Sequence, residues 1–331
     1  MRVNREHTDG QPAIAVQNLV KTYPGPIRAV EGLSFAVEAG SVFGLLGPNG
    51  AGKSTVIKIL TTLTLPDGGH ALVEGVDVVL DPRRVRRIIG VVAQRSGADP
   101  TATGSENLSL QGKVFGMGGA GLRHRVDDLL DRFGLTEAAG RRVKTYSGGM
   151  QRRLDIAMGM VHHPQVLFLD EPTTGLDPEV RTEMWEEIAR LSAEGMSVLL
   201  TTHYLEEADR LADRLVIIDR GRLVAEGTPE ALKAELRGDA IAVELVDSAN
   251  EAMIRAALGG SGGISGLSIN GRSLYARVGA GATAVPTVLS ALERAGLKAA
   301  SVTISRPSLD DVYLRYTGRV YEAANTEGVN R

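Results

Sequence analysis

The clearest chemistry in the chain sits in Gly47-Pro48-Asn49-Gly50-Ala51-Gly52-Lys53-Ser54-Thr55. Gly47 and Gly52 bracket four residues and are followed by Lys and Ser, the spacing of a phosphate-binding loop. Phosphate oxygens need several donors at close range, and small residues let successive backbone N–H groups converge on them. Lys53 adds a mobile positive charge for the terminal phosphates, and Ser54 offers a hydroxyl to Mg2+. A helix starting there aims its positive end at the anion. A glycine-rich turn without a ligand is the plain alternative, and a strand before with a helix after is the context that separates the two. Further on, Val166-Leu167-Phe168-Leu169-Asp170-Glu171 is an apolar run ending in two acids. In an open α/β sheet a strand's C-terminal end is where ligands bind, so these carboxylates fall at the right place. Asp170 can hold Mg2+ through water and Glu171 can polarise an attacking water, although strands ending in solvated acids are common. The phosphate loop and the acids together favour nucleotide hydrolysis.

The remaining candidates are smaller. Tyr146-Ser147-Gly148-Gly149-Met150-Gln151 precedes an amphipathic stretch at 152–160. Ser147 and two glycines at a helix start make an anion-binding corner, or merely a capped turn. Gln94 precedes this group, Gly175-Leu176-Asp177 follows the acids, and His203 follows the apolar run at 198–201.

These residues must be held by strands and helices, and the pattern supplies them. Residues 13–20 and 34–37 read as short strands, with a turn at Pro24, Gly25 and Pro26. Residues 42–46 form a buried-type strand before the phosphate loop, and 54–63 the helix after it. Runs at 166–170 and 197–201 suit central parallel strands, with helices at 179–193 and 205–212 between and after them. Alternation of this kind predicts a largely parallel sheet covered on both faces. Residues 95–141 turn mostly helical, with glycine-rich breaks at 116–121, as an insertion in the α/β core. A second unit starts near Gly238. Strands at 241–246, 266–270, 273–278 and 299–305 and helices at 251–258 and 286–295 give β-α-β-β-α-β, the order of ferredoxin-like domains. A last helix at 308–317 has a polar N-cap and acids in its first turn.

At 331 residues the chain has room for one large domain and a small one, not two complete motor domains. A net charge of −3 argues against a generally basic surface for nucleic acid, and the lack of cysteine excludes disulfide and thiol chemistry. The polar stretch at 1–12 predicts no secretory signal, and no apolar run approaches the ~20 residues needed to cross a bilayer.

In their order, the phosphate loop, Gln94, Ser147-Gly148-Gly149, Asp170-Glu171, Gly175-Leu176-Asp177 and His203 resemble the ABC ATPase family from about Ala13 to about Thr228. The resemblance implies a P-loop NTPase with a RecA-like core, a helical subdomain at about 95–160 and an antiparallel β subdomain, within an ATPase domain at 13–237. It implies a head-to-tail dimer in which Gly47 to Thr55 of one subunit, and Ser147, Gly148, Gly149 and Asp177 of the other, enclose one ATP. Tyr23 falls where the family stacks an aromatic on adenine. Gln94 resembles the glutamine that senses Mg2+ and the attacking water. Glu171 matches the catalytic base, and His203 the histidine that holds the γ-phosphate. Tyr146 and Met150 stand where Leu and Gln are commoner, which touches fine geometry only.

The ending Arg306-Pro307-Ser308-Leu309-Asp310-Asp311-Val312-Tyr313-Leu314, with Thr317-Gly318-Arg319, resembles daunorubicin-resistance-type ATP-binding subunits. That resemblance implies export of drugs, antibiotics or lipid-like molecules through a separate integral-membrane permease. The chain would then work peripherally on the cytoplasmic face of the membrane, paired with a second ATPase subunit of its own kind. An α+β accessory domain at 238–318 and tails at 1–12 and 319–331 complete the expected layout. The alternative is an ABC ATPase acting on DNA or ribosomes. Such proteins carry coiled coils, zinc-finger insertions or two motor domains, and this sequence has none, so no nucleic-acid partner is expected.

Overall fold

The computed structural model describes residues 11–25, 27–236, 238–259, 264–279 and 281–318. Most of both expected tails, with Pro26 and Arg319, lies outside the described residues. The chain divides into two compact units, the first reaching Thr228 and the second beginning at Pro229.

The first unit opens with β1 (Ile14–Tyr23) and β2 (Ile27–Val37), antiparallel partners joined across the Pro24-Gly25 turn. β3 (Val42–Leu46) then enters the core and ends in the phosphate loop, and α1 (Lys53–Leu60) follows. α1 stops three residues short of the expected end, because Thr61 caps it with its hydroxyl on Ile57 O and Thr62 turns left-handed at φ 64. Next come β4 (Gly68–Val73), β5 (Val76–Asp77), α2 (Pro82–Ile88) and β6 (Ile89–Val92). The helical region holds α3 (Gly104–Val114), α4 (Gly119–Arg132) and α5 (Gly148–Met160). α3 starts on a full capping box, Thr103 with Glu106, and α5 on the hydroxyl of Ser147, which accepts from Met150 N. β7 (Val166–Asp170), α6 (Pro178–Ala193), β8 (Ser197–Thr202), α7 (Leu205–Leu211), β9 (Arg214–Asp219) and β10 (Arg222–Gly227) complete the unit.

Two sheets result. One is antiparallel, in the order β2-β1-β4-β5. The other runs β10-β9-β3-β8-β7-β6, with every pair parallel except β9 with β10. β3 and β8 are buried at every position, which is why their sequences read as continuous rather than alternating apolar runs. The parallel register brings the C-terminal ends of β3, β6, β7 and β8 to one edge, and every catalytic candidate follows one of those ends.

The second unit begins with α8 (Pro229–Ala234), nearer the N-terminus than the expected Gly238, because α8 packs against the last helix of this unit. It continues through β11 (Asp239–Leu245), α9 (Glu251–Gly259), β12 (Ile264–Asn270), β13 (Ser273–Val278), α10 (Gly281–Arg294), β14 (Ala299–Ser305) and α11 (Leu309–Thr317). The sheet order β12-β13-β11-β14, antiparallel throughout, is the ferredoxin-like arrangement. One face of the sheet buries Ile241, Val243, Leu245 and Leu274 against Ile254 and Leu258 of α9 and Leu292 of α10.

Candidate nucleotide site

The loop after β3 is shaped by steric necessity. A Cβ at Gly47 would lie 2.3 Å from Ile218 O, and one at Gly52 2.2 Å from Ala29 O. Gly52 also holds φ 110, open only to glycine. It is the N-cap of α1 and offers no side chain to the first turn. The N–H groups of that turn have no side-chain cap, the state in which a helix start takes an anion. The loop floors a cleft of about 520 Å3 lined by Tyr23, Asn49 to Thr55, Gln94 and Glu171.

Lys53 is 4% exposed, and its ammonium donates to Gly47 O at 2.7 Å and Pro48 O at 3.2 Å. It also lies 3.5 Å from Glu171 Oε1. Burial depresses the Lys53 pKa below the usual lysine range, and the Glu171 and Asp170 charges only partly offset this.

Glu171 stands just past β7 with φ 49, a left-handed backbone that a glutamate adopts only where its surroundings impose it. Thr201 on β8 imposes it: Glu171 N donates to Thr201 O at 3.1 Å and to Thr201 Oγ1 at 3.0 Å. The carboxylate then meets Lys53 and lies 3.2 Å from His203 Nδ1, while it accepts from Gln94 Nε2 at 2.9 Å and Thr174 Oγ1 at 3.3 Å. Burial alone would raise its pKa, but the His203 contact, with the Lys53 and His203 charges behind it, holds the carboxyl below the usual glutamate value.

Asp170 accepts from Ser54 Oγ at 3.3 Å and Thr201 Oγ1 at 2.6 Å. These hard oxygens, one from the start of α1 and one from the end of β7, are the donor type that Mg2+ takes alongside phosphate oxygens. Arg152 of α5 ties the site together from behind. It donates to Ala93 O at 2.6 Å, Pro172 O at 2.7 Å and Asp170 O at 3.1 Å, one carbonyl beside Gln94 and two beside Glu171.

The fold therefore gathers Tyr23, the phosphate loop, Gln94, Asp170, Glu171 and His203. Ser147, Gly148, Gly149 and Asp177 do not line the cleft. They group with one another at the starts of α5 and α6, where a Cβ on Gly149 would strike Val180 at 2.5 Å and Asp177 caps Val180 N at 3.0 Å. Thr201, Thr174 and Arg152 are site residues that the motifs did not single out. A hydroxyl at the polar end of an otherwise apolar strand was the available signal for Thr201.

Residues 30–174 match the ABC transporter family, and 227–317 match the C-terminal domain of DrrA1-3-like ATP-binding proteins. The daunorubicin resistance ATP-binding protein DrrA2 of Streptomyces coeruleorubidus is 45% identical over 95% of this chain and 97% of its own length. The chain belongs to the family of ABC transporter ATP-binding proteins. The Nod factor export ATP-binding protein I of Ralstonia nicotianae is 39% identical over 93% of this chain and 94% of its own. Among solved structures, the ATP-binding cassette MJ0796, a dimer bound to ADP and Pi in a post-hydrolysis state, superposes with a TM-score of 0.59. It is 27% identical and covers 65% of this chain and 98% of its own. As an ABC ATP-binding subunit the chain binds and hydrolyses ATP, and it works in a dimer with a membrane permease. Among the described residues no helix is long and apolar enough to cross a membrane.

Proposed function

We propose that this subunit drives export of drugs, antibiotics or lipid-like compounds through a separate permease, with Glu171 as the base that aligns the attacking water. The observation that carries the assignment is the convergence of Lys53, Gln94 and His203 on one carboxylate at the mouth of the phosphate loop. The cargo class rests on the relatives' names, which speak of daunorubicin resistance and Nod factor export.

Phosphoryl transfer needs compensation of negative charge and an aligned water more than covalent chemistry. Lys53 has its ammonium on two carbonyls of its own loop and on Glu171. Entering phosphate oxygens compete for those donors, and the exchange frees the Glu171 carboxylate to accept a proton from water. Its depressed pKa keeps it ionised at neutral pH. Gln94 holds one carboxylate oxygen and His203 stands at the other, so both sense whether the base is engaged. Ser54 and Asp170 would hold Mg2+, which would supply neutralisation of phosphate charge. Tyr23 walls the adenine end of the cleft. Ser147, Gly148, Gly149 and Asp177 close the site of a partner subunit, taken here as a second copy of this chain, so that turnover requires dimer closure. The unit that reaches Thr228 acts as the motor and the unit from Pro229 as an accessory domain, at the cytoplasmic face of the membrane.

The test compares ATP hydrolysis by the wild type and Glu171→Gln, alone and with the candidate permease in lipid. The expected result is weak turnover alone, a rise with the permease, and a loss of roughly 10²-fold or more in Glu171→Gln. Turnover indifferent to the permease but stimulated by DNA or ribosomes would overturn the transport reading and leave the ATPase.

A further inference from the structure

We propose that the C-terminal unit carries a ligand site of its own, in which Arg277 grips the carboxylate or phosphate group of a small molecule with an apolar or aromatic body.

Arg277 lies on β13, opposite Ala240 of β11 and Ser265 of β12. Its neighbours Leu274, Ala276 and Val278 are buried, and Leu274 and Val278 join the core beneath α9 and α10. Strand alternation turns Arg277 to the opposite face of the sheet. There its Nε, Nη1 and Nη2 are all withdrawn from solvent, and none has a hydrogen-bond partner. A buried guanidinium with every donor unspent costs stability, and a ligand that takes those donors removes the cost.

The two acids near Arg277 are engaged elsewhere. Asp311 Oδ2 accepts from Ser308 N and Oγ at 2.8 and 3.0 Å, closing the cap of α11. Glu235 Oε2 accepts from the Tyr316 hydroxyl at 2.5 Å. Neither is a partner of Arg277, so the charge is reserved.

Arg277 is among the residues that line a cavity of about 370 Å3. That volume lies within the ~300–1,000 Å3 of small-molecule pockets. Leu236, Ala240 and Leu314 give it apolar wall, and Tyr275 and Ser265 add a ring and a hydroxyl. β12 breaks register between Ser265 and Ser268, beside Gly266 at φ 60, so the strand bulges where it passes Arg277. Bulges of this kind recur beside binding sites because they re-aim the strand. A planar fork of N–H donors selects a carboxylate or phosphate, which it can hold in two parallel hydrogen bonds. The apolar wall and Tyr275 select the rest of the ligand. The site owes nothing to the ATP chemistry, since all of its residues lie between Glu235 and Arg315.

Isothermal titration of the full-length, nucleotide-free chain with benzoate and with phenyl phosphate tests the proposal. Wild type, Arg277→Met, Arg277→Lys and Lys53→Met are compared. Both probes bind the wild type and Lys53→Met alike, Arg277→Met weakens them at least tenfold, and Arg277→Lys falls between, keeping the charge without the fork. Without ligand, Arg277→Met keeps the aliphatic stem and removes a charge that has no partner, so its thermal midpoint rises by about 2–4 °C. No binding of either probe to the wild type overturns the site. So does binding that Lys53→Met abolishes and Arg277→Met leaves intact, which places the probe on the phosphate loop. A lowered midpoint in Arg277→Met assigns the arginine a structural partner and overturns it as well. Binding to phosphatidate vesicles without either soluble probe overturns the small-molecule ligand.

Discussion

In the α/β unit two buried cations have their donors spent: Lys53 on Gly47 O, Pro48 O and Glu171, and Arg152 on three carbonyls. In the C-terminal unit the Arg277 guanidinium nitrogens are withdrawn from solvent with no hydrogen-bond partner in the protein. A cation satisfied in advance can exchange partners on ligand entry, and its neighbours register the exchange. A cation left unsatisfied registers only presence or absence of its ligand. The first arrangement suits a site that turns over and the second a site that senses or holds.

The comparison breaks most readily at Arg152. Arg152→Met strands buried carbonyls at Ala93, Pro172 and Asp170, so chemical denaturation should show a loss of about 3–5 kcal/mol. The same change at Arg277 is expected to stabilise, and two losses of equal sign would erase the contrast between the units. Lys53→Met comes next. It removes the charge that meets the phosphates, and steady-state ATP hydrolysis should fall about 10²-fold or more while the fold persists. Acid titration sharpens the picture further. The Glu171 carboxyl is held below its ordinary value of 4.5, so its stabilising contribution is complete above that pH and disappears as pH falls through the lower, folded value. The stability difference between wild type and Glu171→Gln should therefore narrow over that acidic interval, and a difference flat with pH would deny the ion pair. The smallest effect is expected at Ser147. Ser147→Ala loses one N-cap, worth about 1 kcal/mol. A fall in turnover far beyond that loss, without a matching change in nucleotide binding by the isolated chain, would place Ser147 in the partner's site.

Much of the site was legible because it is local. The phosphate loop, the acids after an apolar strand, the capping serine of α5 and Gly175-Leu176-Asp177 are runs in which spacing along the chain equals spacing in space. The ferredoxin-like order was legible for the same reason, since each strand and helix announces itself by period. Boundaries were less so. α1 ended early at a left-handed Thr62, and α8 joined the second unit through its packing on α11, neither of which has a periodic signature.

By itself, then, the sequence determined which side chains are present: a glycine-rich loop with Lys53 and Ser54, a glutamine, two acids after an apolar strand and a histidine, in the order of an ABC ATPase. Tertiary structure alone decided how these meet. Parallel pairing of β7 with β8 sets Thr201 beside Asp170 and Glu171, and pairing of β6 with β7 brings Gln94 within 2.9 Å of the Glu171 carboxylate. Register also decided that Arg152 is satisfied and Arg277 is not. Two arginines of identical chemistry differ only in which backbone carbonyls the packing carries within reach, and no spacing along a chain encodes that.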